Sequence, residues 1–163
     1  MQRTLFLLAL VLVCLQACQT DDGLSTFDVV NNVRFEATWS DSTHPNAYPS
    51  NAHFSPLVAL SHNPNFYVFF SGYPASMGLR ILAETGQTDS IMDDFTYSIN
   101  TGQALDARVG PDVQSPGQGE FSIGVTASRH AVTVLSMIAP SPDWFVAGRA
   151  VLFDAQDGRW YDL

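Results

Sequence analysis

Three histidines and one aspartate are the residues whose types and spacing invite chemistry. His44, His53 and His62 recur nine residues apart, and three imidazoles can hold zinc while leaving a coordination position open. The residues between them follow no uniform period, so spacing alone does not bring the rings together. The alternative is that each histidine hydrogen-bonds its proline-rich surroundings to neighbouring chain. The aspartate is Asp143, in MIAPSPDWFVAG (137–148). It lies between Pro142 and Trp144, just ahead of an apolar run, and either closes a turn or presents a carboxylate to something outside. HExxH, G-x-S-x-G, the P-loop and a strand-linked GxGxxG are absent from the sequence, and each would have implied a mechanism. Ser, His and Asp occur without a spacing that assembles them, so the expectation is a protein without catalytic residues.

Cysteine chemistry is confined to the start. Arg3 precedes an unbroken apolar run, LFLLALVLVCL (5–15). That run is shorter than the roughly 20 residues of a membrane span and suits the core of a signal peptide. LQAC (15–18) follows and resembles a bacterial lipobox: aliphatic, tolerant, small, cysteine. The resemblance implies a signal peptide over 1–17, lipidation of Cys18, and a membrane held through that lipid. Gln19 lacks the neighbouring aspartate that commonly retains lipoproteins in the inner membrane, so the expected location is the bacterial cell envelope, at the outer membrane. Cys14 leaves with the signal and Cys18 is acylated. The mature domain then has no thiol pair, and a packed core must supply its stability.

Formal net charge is -9 and all seven basic residues are arginine. Nucleic acid and anionic headgroups want a basic surface, so neither is an expected partner. Cations, basic surfaces and neutral ligands such as glycans fit better.

The elements that must position these residues read as mostly strand. QTDDGLS, within residues 18–25, is a polar tether, and 26–163 forms one domain. VRFEATWS (33–40) alternates as a half-buried strand does, and FSIGVTAS (121–128) repeats the pattern. HAVTVLSMIA (130–139) is apolar on both faces, as in a central strand, and another strand follows over 144–153. Asp41 to Leu60 carries prolines 45, 49 and 56 and reads as a long ordered loop pinned by Tyr48, His53 and Phe54. NFYVFF (65–70) reads as a short aromatic strand. ASMGLRILAET (75–85), stopped by Gly86, reads as the single short helix. Residues 87–94 and 100–119 read as polar connectors. Many strands with one short helix give an all-β, antiparallel β-sandwich.

FEATWS (35–40), THPNAYPSNAHFSPLVALSHN (43–63), ASMGLRILAETG (75–86) and MIAPSPDWFVAG (137–148) together resemble the spondin N-terminal domain, known from F-spondin and mindin and from many bacterial secreted proteins. The motifs fall in family order across 33–160. The resemblance implies an antiparallel β-sandwich like the calcium-and-lipid-binding sandwich domains, and adhesion as the family's role. It also implies that Asp143 is a calcium ligand at one end of the sandwich. Calcium takes six to eight oxygens, which inter-strand loops can supply. Pro140 and Pro142 would stiffen the turn, with Trp144 burying its ring beside it. The family's further acidic segment falls after the stretch matching Arg159-Trp160. Here the domain reads as shortened, with Asp154, Asp157 and Asp162 nearby but unmapped.

The resulting expectation is a lipid-anchored surface binding and adhesion module for an unknown protein or glycan, possible calcium dependence included. Two other readings stand beside it. One is a structural envelope subunit without its own ligand, and the other a hydrolase of unrecognised type.

Overall fold

The computed structural model describes residues 29–154 and 159–160. Its architecture follows from two strands that are apolar on both faces. β3 (Val58–His62) is buried at every position, and β7 (Ala131–Ala139) at seven of its nine. A strand can bury both faces only if something covers each of them.

The main sheet is antiparallel. β7 is bordered on one edge by β3, through Val58↔Leu135 to His62↔Ala131, and then by β2 (His53–Phe54). β8 (Phe145–Val151) runs along the other edge. β4 (Ala104–Val109) pairs with β3, with a register shift between Ser61 and His62, and β5 (Val113–Gln114) pairs with β2. β9 (Phe153–Asp154) and β10 (Arg159–Trp160) form a small separate pair.

A two-stranded ribbon covers one face. It is made of β1 (Val29–Ala37) and β6 (Gly117–Val125), antiparallel along nine pairs. Its inward residues Val33, Phe121, Ile123 and Val125 meet Ala59, Val132 and Val134. Helices α1 (Met77–Thr85) and α2 (Asp89–Asn100) cover the other face, where Leu79, Leu82, Ile91 and Phe95 pack on Val58, Leu60 and Leu135. The sandwich is therefore ribbon on sheet, with a helix pair behind it.

Several sequence readings change. There are two helices among the described residues. Residues 87–94 read as a polar connector because Asp89, Asp93 and Asp94 dominate their composition, yet from Asp89 they open α2, in which Ile91, Phe95 and Ser98 recur on one buried stripe. The rest of the second connector contains β4, β5 and the start of β6. The proline-rich loop ends at Ala52, and the residues after it run through β2 and into β3. NFYVFF is not a strand. Phe66 and Val68 turn toward the core while Tyr67, Phe69 and Phe70 stay exposed or nearly so. Alternation reports which way side chains face, and this segment has no ladder partner among the described residues.

Local chemistry fixes the helix pair. Ser76 caps α1 by accepting from the Leu79 amide at 3.1 Å. Gly86, at φ 73°, ends it in the left-handed region. Gly78 lets the helices meet: a Cβ there would lie 2.4 Å from Asp94 Oδ2 and 2.7 Å from the Ile91 Cα. Gly78→Ala should therefore cost about 1–3 kcal/mol as an overpacked contact, although alanine is the better helix former. Urea unfolding of the variant checks this, and unchanged or raised stability would mean the helices part without penalty.

Candidate functional site

Asp143 occupies the turn between β7 and β8. Residue 139 ends β7, the Ala139–Pro140 peptide is cis, and the ladder resumes at Met137↔Phe145. Two hydrogen bonds close the turn: Trp144 N–H donates to Ser141 Oγ at 3.0 Å, and Ile138 N–H to the Trp144 carbonyl at 2.9 Å. Ser141, then, does the work that a turn aspartate would do. Asp143 is exposed, and its carboxylate makes no hydrogen bond or ion pair among the described residues. Trp144 is 65% exposed, against the expectation of a buried ring. It projects beyond the last ladder pair, where no described element covers it.

The proline-rich loop reaches the same end of the sheet, because His53 pairs with Ala139 just before the turn. The loop is packed at its base. The Trp39 ring lies 5.4 Å from Tyr48 and 6.5 Å from Phe54, Tyr48 donates its hydroxyl to the Ser115 carbonyl, and Ser115 Oγ donates to the Trp39 carbonyl at 2.6 Å. Residues 41–47 are exposed above this base. Tyr48 and Phe54 do the pinning, whereas the His53 ring, among the described residues, reaches only the Asn51 carbonyl, at 2.8 Å.

The three histidines are not brought together. His44 Nδ1 meets Thr43 Oγ1 at 3.0 Å in the exposed loop, while His62 is fully buried in β3. No group of three or more His, Cys, Asp or Glu side chains among the described residues is placed to hold a metal ion. A calcium shell of six to eight oxygens is not assembled around Asp143 by them. Asp157, Asp162 and Cys18 lie outside the described residues, as does the side chain of Asp154.

A cavity of about 870 Å³ opens between β1 and β8. Its walls are mostly apolar, with Val33, Val134, Val146 and Leu152 among them, and its titratable groups are Arg34 and Arg149. The Asn31 side-chain nitrogen is buried there without a hydrogen-bond partner among the described residues. These walls carry no nucleophile beside a base.

A feature that the sequence reading missed is an aromatic face on the helix side. Segment 64–73 crosses β8, where Arg149 donates to the Pro64 carbonyl and stacks 4.8 Å from the Tyr67 ring centroid. Phe69 meets Phe145 at 5.4 Å, and the rings of Tyr67, Phe70 and Tyr73 follow one another at 5.1 and 6.1 Å. The run of aromatic residues was the available signal, but a strand reading absorbed it.

Among the described residues, His62 carries the one clear electrostatic perturbation. Its Nδ1 lies 2.8 Å from the Asn63 carbonyl, which can only accept, so Nδ1 holds the proton. Nε2 then accepts from Thr133 Oγ1 at 2.8 Å. Burial pushes the imidazole below its ordinary 6.5; the bond to Asn63 opposes this and Arg149 adds to it. Below pH 6.5 the unfolded chain takes up a proton that the folded ring resists, so stability falls as pH drops from there toward the folded value. Urea unfolding should show a loss of up to about 1.4 kcal/mol per pH unit from this group. His62→Gln should flatten that slope, and an unchanged slope would place the sensitivity elsewhere.

Comparison with known proteins assigns the architecture. The Spondin_N family model matches residues 29–163. Spondin-1 of Mus musculus is 32% identical over 120 residues, covering 69% of this chain and 15% of the relative. Spondin-1 of Homo sapiens is 32% identical over 126 residues, with the same coverage. Spondin-2 of Rattus norvegicus is 29% identical over 134 residues, covering 79% of this chain and 40% of the relative. The chain thus spans a minor part of these relatives' length, and on the evidence of the match and the sandwich together it belongs to the spondin N-terminal domain family.

Proposed function

We propose that this chain is an extracellular binding and adhesion module, tethered to the bacterial envelope through lipid on Cys18. The observation that carries the reading is the family match across 29–163, on a fold with exposed loops at one end of a buried sheet. Loops 41–52 and 140–144 converge there, and recognition commonly resides on loops held by a rigid scaffold. The ligand is a protein or glycan, and catalysis forms no part of this reading. Replacing Cys18 by Ser should move the protein from the membrane fraction to the soluble one. Equal partitioning of variant and parent would remove the tether from the proposal.

The finer part of the proposal concerns calcium. Asp143 offers one solvent-facing carboxylate, unpaired among the described residues, so any site there is weak, of the millimolar class seen in extracellular modules, with water and carbonyls completing the shell. A ligand bound only by the folded state raises its stability by mass action. At about ten times its dissociation constant, calcium should add roughly 1.4 kcal/mol, a few degrees in the unfolding midpoint of a domain this size. Thermal unfolding with calcium and with chelator measures this, and Asp143→Asn should erase the difference. Identical midpoints for the parent protein in the two conditions would leave Asp143 a turn residue.

A further inference from the structure

We propose that the aromatic face on the helix side docks a basic segment of a protein partner, with a lysine or arginine side chain entering the pocket beside Asp94. This surface is separate from the Asp143 turn and does not depend on calcium.

A pocket of about 250 Å³ lies between segment 66–76 and α2. Phe66, Val68 and Phe95 give it an apolar floor, and Asp94 and Tyr97 stand in its wall. Ser76 Oγ donates to Asp94 Oδ2 at 2.7 Å. The carboxylate is thereby held in place, and its other oxygen has no hydrogen-bond or ion-pair partner among the described residues. Tyr97 is 71% exposed. A carboxylate, a tyrosine face and an apolar floor match the three parts of a basic side chain: a charged head, a cation that ring faces attract, and a methylene stem that seeks apolar cover. The protein already makes one such contact on this face, where the Arg149 guanidinium lies over Tyr67.

The surroundings favour a protein over a free cation. Tyr73 and Met77 are 76% and 61% exposed beside the pocket, with Tyr67 and Phe70 next to them. Tyr, Phe, Met and Arg are enriched at protein interfaces relative to the rest of the surface, and Tyr and Arg among the residues that carry most of the binding energy. Charge gives the partner's sign. The two helices carry Glu84, Asp89, Asp93 and Asp94 against Arg80 alone, and Arg80 is paired with Glu84 at 3.3 Å. The chain has no lysine at all.

Titration with short oligolysine and oligoarginine at physiological ionic strength, followed by backbone amide chemical shifts, tests the assignment. Shifts should concentrate in residues 66–77 and 91–98. Tyr97→Ala and Asp94→Asn should each weaken binding about five-fold. Both variants should fold, since Tyr97 is exposed and an asparagine oxygen can still accept from Ser76. Glu36→Gln on β1 removes the same charge elsewhere and should leave the affinity unchanged. The assignment is overturned by any of three results: Glu36→Gln weakens binding as much as Asp94→Asn, the shifts centre on the Asp143 turn, or no saturable binding occurs. A neutral oligosaccharide that shifts residues 66–77 when the basic peptides do not would also overturn it.

Discussion

β3 and β7 are dry on both faces, and the other elements are arranged by that fact. Leu60 and Leu135 point to the helices, while Ala59 and Val132 point to the ribbon. Each fully buried aliphatic side chain contributes about 1.5–3 kcal/mol over leaving it in water, so neither covering layer is dispensable. The backbone imposes the same demand. A buried strand must pair along its ladder, and β7 does so with β3 and β2 on one edge and β8 on the other. Sheet, ribbon and helix pair are consequences of one two-sided core.

Polar groups then fix how the layers sit, because apolar contact alone specifies position poorly. Buried Asp106 on β4 accepts from the Gly124 amide on β6 and from Arg108 Nε, both at 2.9 Å, and so ties the ribbon to the sheet through one carboxylate. Its backbone N–H donates to Ser61 Oγ at 3.0 Å, which joins the same knot to β3. Ser136 Oγ donates to the Ser55 carbonyl at 2.8 Å, and Ser55 Oγ accepts from the Met137 amide at 2.9 Å. These bonds join β7 to the chain leaving β2. A buried polar atom left unpaired costs about 1–3 kcal/mol, so each bond penalises any other register.

Period and composition made part of this legible. The alternation of 33–37 and 121–125 marked the two ribbon strands, and the apolar character of both faces of 131–139 marked the central one. The second helix was hidden because its buried stripe is sparse: Ile91, Phe95 and Ser98 sit among three aspartates. Strand β3 was hidden by its neighbours, since Pro56 lies two residues before it. At the candidate site, Asp143 was singled out by a motif, and its turn was rightly placed between two strands. That Ser141 closes the turn, so that the closure does not use Asp143, follows from backbone geometry that residue types do not encode. The pocket at Asp94 was illegible for a related reason. Its residues come from positions 66–76 and 91–98, and they become neighbours only because Gly78 lets α1 and α2 approach.

The same close approach links fold to recognition. Asp94 is the residue that Gly78 leaves room for, and Ser76, which holds Asp94, is also the cap of α1. The carboxylate is therefore preorganised by a contact the helix pair needs in any case, which lowers the ordering cost of engaging a cation. The acidic chain adds a long-range attraction toward basic surfaces, screened beyond about 8–10 Å at physiological salt. Attraction of that kind brings partners near without choosing among them. Selection falls to the parts that charge alone does not supply: the apolar floor under Asp94 and the exposed rings beside it, which favour a basic segment with a long aliphatic stem over a small hydrated cation.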